Sequence, residues 1–254
     1  MSVVRGTYSP SELPVSPSNL EVWLTRTELA RDSALLAWYA SILSQDERER
    51  HARFVHEGSR HEYLVAHALL RTTLSHYGDV RPERWRFVFN PYGRPELAPA
   101  QTQLDLRFNL SHGNGLIACA VTLGRRVGID VEWHQRQTPA RELAERFFSP
   151  AEARDIASLP PSEQRERFFQ YWTLKEAYMK AHGKGLAMSL KESWFRLADE
   201  NQPHIRLEPG PADDGSRWRF WQWNPTHEHT LALAVEFSRH ESADLRIQTV
   251  LPGA

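Results

Sequence analysis

The sequence predicts an α+β fold built as a pseudo-dimer of two similar α/β halves, each a small antiparallel sheet packed with helices. Three features occur twice in the same order. Residues 44–78 begin with a serine that opens a helix and end with a glycine that ends a later helix. Residues 149–183, an equally long segment, begin and end in the same way. A tetrapeptide ending in histidine then precedes an apolar strand, at 109–112 and again at 224–227. Recurrence in one order predicts an internal duplication.

The duplication divides the chain into an N-terminal half, 1–125, and a C-terminal half, 126–254. In the first half, the apolar run at 20–24 predicts a short strand. Ser44 and Glu47 match a capping box, in which each side chain accepts a hydrogen bond from the other residue's backbone N–H. They predict the start of a helix. Apolar spacing beyond this point predicts two helices broken near Gly58.

Strands and turns follow these helices. Gly78 predicts a helix stop, because glycine adopts the backbone conformation that ends helices. Alternation at 85–89 predicts a strand, and the proline, asparagine and glycine of 90–95 predict a turn. The apolar run at 116–123 predicts a strand buried on both faces. Prolines within 1–19 predict an irregular arm ahead of all these elements.

The second half repeats this order. A strand is predicted at 127–133, and a second capping box at 149–152. A helical stretch around 168–181 is predicted to end at Gly183. The proline, glycine and aspartate of 209–216 predict a polar hairpin loop.

Composition excludes several classes of protein. The 31 basic and 32 acidic residues leave a net charge of −1, which excludes binding of nucleic acid or membrane through bulk charge. An apolar share of 41% excludes global disorder. The single cysteine, Cys119, allows neither an internal disulfide nor a cysteine zinc cluster. Without a signal-peptide pattern or a membrane-spanning apolar run, we expect a cytoplasmic protein.

The motif GIDVE at 128–132 places two carboxylates together. Side chains two apart on a strand face the same side, so Asp130 and Glu132 lie next to each other. Adjacent carboxylates repel unless a cation lies between them, and hard oxygen ligands suit Mg²⁺. The alternative is an ordinary strand whose polar face meets water, and the motif alone favours that alternative.

The helical segment 172–186 carries a second charged group. Trp172, Glu176 and Lys180 recur every fourth residue and so form one stripe, with a further lysine beside it. A Glu–Lys pair on a helix surface usually contributes only about 0.3–0.5 kcal/mol. However, all four lysines of the chain fall between 175 and 191, whereas the arginines are spread throughout. One explanation is a biased genome, which favours arginine, together with a chance cluster of the few lysines. The other is a metal–pyrophosphate site that prefers compact ammonium groups.

A third polar group lies in FNLSH at 108–112, where a strand runs into a turn. The hydroxyl of Ser111 and the imidazole of His112 can bond a phosphate or a ring edge. Ser111 lacks the glycine elbow of a hydrolase nucleophile, and adjacent serine and histidine side chains cannot easily reach each other. A structural hydrogen bond is the alternative for His112.

Together these motifs resemble the 4′-phosphopantetheinyl transferase family. The resemblance rests on GIDVE at 128–132 and WTLKEAYMKAHGKGL at 172–186, preceded by FNLSH at 108–112. The segments PYGRP, SQDERERHARF and RFFSPAE agree with it, at 91–95, 44–54 and 146–152. The likeness is to the long single-chain class that includes the surfactin synthetase activator, Sfp.

The resemblance implies the family's pseudo-dimer fold and its reaction. Phosphopantetheine would pass from coenzyme A to a serine of an acyl or peptidyl carrier protein, and adenosine 3′,5′-bisphosphate would be released. The half 1–125 would contact the nucleotide of coenzyme A, and the half 126–254 would hold the metal site and the catalytic helix. The family implies a Mg²⁺ cofactor, coenzyme A as substrate, and a monomer serving fatty acid, polyketide or nonribosomal peptide biosynthesis.

Matching positions carry the family's residue roles. Asp130, Glu132 and Glu176 would bind Mg²⁺ together with the pyrophosphate. Glu176 and Lys180 would be catalytic, and Lys180 would neutralise charge on the leaving phosphate. The implied coenzyme A-binding residues are Arg50, Gly93, Arg94, Pro95, Asn109, Ser111, His112, Lys175, Lys180 and Lys184.

The resemblance divides the first half's residues between two parts of the nucleotide. Arg50 and His112 would bind the 3′-phosphate or its surroundings. Arg94 and Ser111 would line the nucleotide site. Arg50 and Arg94 stand where relatives often have lysine, which keeps the charge but changes its geometry.

Several alternatives stay open. The same carboxylates would suit another Mg²⁺-dependent nucleotide or diphosphate hydrolase. An inactive carrier-binding homologue would have lost site residues, and Asp130, Glu132, Glu176 and Lys180 are all intact. Either Glu176 or a water that it orients would be the base that activates the carrier serine. A carrier-docking surface is expected near Phe147, Phe148 and Met188.

Overall fold

The structure, a computed structural model, describes residues 19–185, 188–198, 204–208, 215–237 and 244–253. The arm predicted over 1–19 lies outside these residues except for Asn19, and the loop predicted over 209–216 lies outside them except at 215–216. The described chain forms two compact units of mixed helix and sheet, divided between Gly124 and Arg125.

The elements are, in chain order, β1 (Asn19–Arg26), α1 (Ser33–Ile42), α2 (Gln45–Ala52), α3 (Glu57–Ser75), β2 (Phe87–Phe89), β3 (Pro95–Leu97), β4 (Leu106–Gly113), β5 (Leu116–Leu123), β6 (Val127–Trp133), α4 (Ala140–Phe147), α5 (Pro150–Ser158), α6 (Pro161–His182), β7 (Phe195–Arg196), β8 (Arg206–Leu207), β9 (Trp218–Thr226), β10 (His229–Glu236) and β11 (Asp244–Thr249).

The first unit is a four-stranded sheet with helices packed against it. Its strand order is β11-β1-β5-β4, antiparallel except that β11 runs parallel to β1. Strand β5 is buried along all but its last residue, as its apolar sequence predicts. Helix α3 packs on this sheet, and the core between them includes Leu69, Ile117 and Cys119, all fully buried.

The second unit is a three-stranded antiparallel sheet, in the order β6-β10-β9, with α6 packed across β6 and β10. Its core is rich in aromatic rings, among them Phe168 and Tyr178 from α6 and Phe220 from β9. Helix α6 ends at His182 because Gly183 adopts the left-handed conformation, with φ of 70°.

The strand orders show the predicted duplication. The orders β1-β5-β4 and β6-β10-β9 are equivalent, and three α-helices separate the first strand of each unit from the rest of its sheet. Both predicted capping boxes are formed, by Ser44 with Glu47 and by Ser149 with Glu152. The predicted fold class is confirmed.

The chain returns to the first unit at its end, so the second unit is shorter than the predicted half 126–254. Strand β11 pairs with β1, and Tyr39 Oη donates a hydrogen bond to the carbonyl of Pro252 at 2.8 Å. Pairing between chain ends is a long-range contact that local sequence patterns do not reveal.

Smaller differences concern single elements. Helices α1 and α4 were not predicted. Strand β2 begins at Phe87 rather than at residue 85, because the indole of Trp85 is buried and donates to Ser75 Oγ at 2.9 Å. The helix break falls at 53–56, and Gly58 lies in the first turn of α3. Within the described part of the chain, no helix has the length and apolar character needed to cross a membrane.

Candidate active site

Gly128 allows helix α6 to lie directly against strand β6. A Cβ atom at Gly128 would fall 2.0 Å from the carbonyl oxygen of Ala177 and 2.4 Å from the backbone nitrogen of Ala181. A residue without a side chain is therefore needed at this position. The close contact brings the polar side chains of α6 within reach of those on β6.

Three carboxylates and a lysine meet where β6 faces α6. Asp130 is buried, and Lys180 Nζ donates to its Oδ1 at 2.6 Å. The indole Nε1 of Trp172 donates to Glu132 Oε1 at 2.9 Å. Glu176 stands between Trp172 and Lys180 on the same stripe of α6, close enough for the charge of Asp130 to act on it. The structure thus brings together the four residues that the motifs singled out in this unit.

Two carboxyl groups of this cluster hold their protons more tightly than usual. Burial raises the pKa of Glu176 to about 7, and the nearby charge of Asp130 adds to the rise. Burial likewise raises the pKa of Glu132 to about 6, again with a contribution from Asp130. Lys180 opposes both shifts without cancelling them. Three carboxylates outnumber the cations beside them, so the ionised cluster carries an excess of negative charge, which favours a bound cation or retained protons.

The donor chemistry of the cluster fits Mg²⁺. Carboxylate oxygens are hard ligands, and Mg²⁺ typically takes one or two of them and completes its shell with water and substrate phosphate. Among the residues that the structure describes, no three acidic, histidine or cysteine side chains are spaced as a formed metal site. Lys180 occupies Asp130 Oδ1, so its ammonium group and a cation would compete for that oxygen.

Lys175 differs from its predicted role as a coenzyme A-binding residue. Its side chain is 1% exposed, and its Nζ lies 2.8 Å from Glu152 Oε2. The ammonium group also donates to the carbonyl oxygens of Leu190, at 2.7 Å, and Ser193. An ammonium group has three donors, and these three acceptors use them all. Lys175 is therefore a buried structural cation, and the predicted phosphate contact is contradicted.

The predicted nucleotide-binding residues lie in the first unit. The hairpin between β2 and β3 turns at Gly93, whose φ of 84° favours glycine. Asn90 Oδ1 accepts hydrogen bonds from the backbone N–H groups of Tyr92 and Arg94, which fixes the turn. Pro95 then opens β3, and Arg94 Nη2 donates to the carbonyl of Phe108 on β4 at 3.2 Å. The turn thereby holds a guanidinium group against β4.

Strand β4 carries the remaining predicted residues of this unit. Asn109 and Ser111 share one face of the strand and are both buried. His112 lies within β4 rather than after it, and its imidazole is half exposed. His112 Nδ1 lies 3.1 Å from Glu62 Oε2 on α3, and Glu62 Oε1 accepts from the backbone of Gly115 at 2.8 Å. Glu62 thus orients the imidazole.

Two predicted cations are exposed. Arg50 stands on α2, with its guanidinium carbon 5.8 Å from the ring centre of Tyr63. Lys184 follows the end of α6. Phe148, expected on a docking surface for the carrier, is instead buried in the core of the second unit, whereas Phe147 and Met188 are partly exposed.

The sequence reasoning missed three residues that shape these groups. Glu62 carries no local signal, because its partner His112 is distant along the chain. Gly128 was noted only as part of a motif, although glycine inside a strand is itself a signal of close backbone approach. Glu152 was identified as a helix cap, and only the fold shows that it also holds Lys175.

Comparison with known proteins covers both units. The profile of the "4'-phosphopantetheinyl transferase superfamily" matches residues 126–235. The profile of "4'-phosphopantetheinyl transferase, N-terminal" matches residues 32–123.

Two similar individual proteins are described as 4'-phosphopantetheinyl transferases. The chain is 33% identical over 233 residues to the 4'-phosphopantetheinyl transferase HetI of Nostoc sp. (strain PCC 7120), a match covering 92% of this chain and 95% of that protein. It is 31% identical over 169 residues to the 4'-phosphopantetheinyl transferase Sfp of Bacillus subtilis (strain 168), covering 66% and 73%. A solved holo-(acyl-carrier-protein) synthase from Bacillus anthracis, in complex with CoA (3',5'-ADP), overlaps 44% of this chain and 96% of its own, with 23% identity and a TM-score of 0.36.

Proposed function

Because this chain belongs to the 4′-phosphopantetheinyl transferase superfamily, we propose that it transfers phosphopantetheine from coenzyme A to a carrier-protein serine in a Mg²⁺-dependent reaction that releases adenosine 3′,5′-bisphosphate. The family and the enzyme class predicted from the motifs are confirmed by relatives over most of the chain. The donor, the metal, the product and the residue roles are the proposal.

The observation that carries this proposal is the cluster of three carboxylates beside Lys180. Phosphoryl transfer requires a positioned nucleophile, a metal that bridges the diphosphate, and cations for the charge that builds up. Asp130, Glu132 and Glu176 would hold Mg²⁺, which when bound neutralises charge on the diphosphate oxygens. The three carboxylates outnumber the cations beside them, and burial together with the charge of Asp130 raises the pKa values of both glutamates.

Lys180 would neutralise charge on the departing phosphate. Its Nζ already lies beside Asp130, so the ammonium group is held at the carboxylate cluster. To contact a diphosphate it would leave Asp130 Oδ1, which frees that oxygen for the metal. The same side chain would thus pair with Asp130 before substrate binds and contact the phosphate afterwards.

Glu176 would accept the proton of the carrier serine, directly or through a water that it orients. A pKa of about 7 suits a general base near neutral pH, because such a group is both available and able to take a proton. A carboxylate bound directly to the metal would be a poorer base. Both roles of Glu176 belong to the proposal.

The first unit would bind the nucleotide of coenzyme A. Arg94 and Ser111 would line the nucleotide site, with Gly93, Pro95 and Asn109 shaping it through the turn and strand β4. Arg50 and His112 would bind the 3′-phosphate, and Lys184 would add positive charge near the diphosphate. The partly exposed His112 and the exposed Arg50 are available for such contacts. The acting species is proposed to be a monomer.

Incubation with coenzyme A, Mg²⁺ and an apo-carrier protein tests this proposal. The intact mass of the carrier is expected to rise by one phosphopantetheine group, and adenosine 3′,5′-bisphosphate should appear in equal amount. A chelator should stop both changes. Breakdown of coenzyme A without a carrier would favour a hydrolase instead, and full activity in chelator would remove the metal role. Separate fatty acid, polyketide and nonribosomal peptide carriers in the assay would identify the class of acceptor.

A further inference from the structure

Each unit contains a buried ion pair, and the two pairs are built from equivalent contacts. In each unit the glutamate of a capping box contacts a buried cation on the long helix that follows. The pair is Glu47 with Arg71 in the first unit and Glu152 with Lys175 in the second. The side chains of the two cations are 0% and 1% exposed.

In the first unit, the guanidinium group of Arg71 ties three segments together. Its Nε donates to Glu47 Oε2 at 2.8 Å, which joins α3 to α2. Its Nη1 donates to the carbonyls of Pro82 and Trp85, at 2.8 and 3.1 Å, in the chain that follows α3. The ring of Phe87 covers the guanidinium group at 5.2 Å. One cation thus fixes two helices and the segment after them.

Lys175 makes the matching contacts in the second unit. Its ammonium group joins α6 to α5 through Glu152, at 2.8 Å. It joins α6 to the chain that follows through the carbonyls of Leu190 and Ser193. The ring of Phe148 lies 5.3 Å from Nζ. The two units therefore share a cap, a cation, a pair of carbonyls and a covering ring.

In the second unit this ion pair lies beside the stripe of α6 that carries Glu176 and Lys180. Consecutive side chains on a helix point about 100° apart, so Lys175 anchors one side of α6 while Glu176 faces the carboxylates of β6. We propose that Lys175, held by Glu152, is a positioning residue that sets the rotation of α6 and thereby the placement of Glu176. The inference rests on the proposed function, because it gives Lys175 a part in that reaction.

The internal duplication favours a positioning role for Lys175 over a direct contact with phosphate. Arg71 occupies the equivalent place in the first unit and has the same kinds of partner. The carboxylate cluster belongs to the second unit, yet the same kinds of contact also occur in the first. Helix packing that both units need therefore explains these contacts. Lys175 contributes to the reaction through the helix that carries Glu176.

The first experiment replaces Lys175 by methionine. Lys175→Met leaves the carboxylate of Glu152 buried without its cation, which is strongly destabilising. We expect a lower Tm and a fall in kcat of about tenfold or more, because displacing a catalytic group by about 1 Å can cost roughly 100-fold. The KM for coenzyme A should change less than kcat, whereas loss of a phosphate contact would raise it.

Arg71→Met is the matched control, because it removes an equally buried cation from the first unit. It should lower the Tm comparably while kcat stays near the wild-type value. Equal losses of kcat in the two variants would trace the effect to general destabilisation and overturn the proposal. An unchanged kcat in Lys175→Met would overturn it as well.

The double variant Lys175→Met with Glu152→Gln decides between positioning and phosphate binding. Glutamine can keep the capping box, and neutral replacement of both partners of a buried ion pair is often tolerated. We expect both the Tm and kcat to recover towards the wild-type values. A double variant that is unfolded, or folded but as slow as Lys175→Met, would overturn the proposal.

The same experiments keep the two proposals apart. If the wild-type protein transfers no phosphopantetheine, the proposed function fails, and the Tm values of the single and double variants still report on the ion pair. If the wild type is active and the double variant is not rescued, the positioning role fails alone.

Discussion

At the scale of single residues, Glu176 is the group whose ionisation matters most. In a protein without metal, its folded-state pKa of about 7 lies above its ordinary value, so the fold favours the protonated form. The contribution of Glu176 to stability is then fully present below its ordinary pKa of 4.5 and is lost as the pH rises through about 7. The ionised form that would bind a metal or accept a proton is thus the form that weakens the metal-free fold.

Glu176→Gln should consequently stabilise the metal-free protein while disabling it. One unit of pKa shift corresponds to about 1.4 kcal/mol, so for a rise from 4.5 to about 7 we expect a gain on the order of 3 kcal/mol at pH 8 and none near pH 4. Loss of a general base should lower kcat by about 100-fold or more. Thermal unfolding at the two pH values and the transfer assay measure these effects. A Tm gain independent of pH, or near-normal turnover, would contradict the assignment.

Lys180→Arg should reduce transfer although it keeps the positive charge. A planar guanidinium group cannot replace a compact ammonium group at Asp130 and at a diphosphate already crowded by metal. We expect kcat/KM to fall by about tenfold or more, which corresponds to about 1.4 kcal/mol. Lys191→Arg, at an exposed position outside the motif, is the control and should leave kcat/KM unchanged. Equal rates for both variants would refute the role of Lys180.

The sequence predicts the carboxylate cluster well because its members follow regular periods. Asp130 and Glu132 are two apart on a strand, and Glu176 and Lys180 are four apart on a helix, so each pair had to share a face. Lys175 shows the limit of this reasoning. Periodicity places it beside the stripe, but only packing against α5 shows that it points into the core.

At the scale of elements, the contact between β6 and α6 depends on the absence of one side chain. The methyl group of an alanine at Gly128 would overlap the backbone of α6, which cannot move aside as a flexible side chain can. Helix α6 would have to shift away from β6, taking Glu176 and Lys180 with it.

Gly128→Ala is therefore expected to lower stability by about 3 kcal/mol or more, the upper part of the range for overpacked cores, and to abolish transfer. Gly58→Ala serves as the control. It lies in α3 with open space around its Cβ position, so it should be neutral or stabilising by up to about 1 kcal/mol. Urea unfolding and the transfer assay measure both variants. A Gly128→Ala protein with wild-type stability would show that α6 is not tightly seated.

Helices marked by a capping box were predicted, whereas β11, which depends on a tertiary contact, was not, and helix α4 was missed although its sequence is amphipathic. Capping boxes at Ser44 and Ser149 mark α2 and α5 directly. Helix α1 is short and apolar on most sides, so it lacks an amphipathic pattern, and its Asp32 cap was the one available signal. Strand β11 alternates weakly and is a strand because β1 offers it an edge.

At the scale of the whole molecule, the first unit is made from two separate stretches of chain, and the second from one. Deletion of 244–254 should therefore weaken the first unit selectively. It removes the β1–β11 pairing and the hydrogen bond from Tyr39 to Pro252, each bond being worth about 1 kcal/mol.

Hydrogen exchange followed by peptide mass analysis would measure this effect. Amides of β1 and α1 should exchange faster, while those of β6 and β10 keep their protection because their sheet and core remain complete. Deletion of the last residue alone is the control and should change neither set. Uniform loss of protection over both units would show that the truncation acts on the whole chain.

The pairing of β11 with β1 also sets an order of events during synthesis on the ribosome. The sequence of the second unit is complete before β11 is made, so the first sheet is the last to receive all of its strands. Until then the outer edge of β1 presents unpaired N–H and C=O groups, the kind of edge on which chains associate wrongly. The unit that begins first is thus the one that finishes last, and a nascent chain stalled before β11 should be the form that most needs a chaperone.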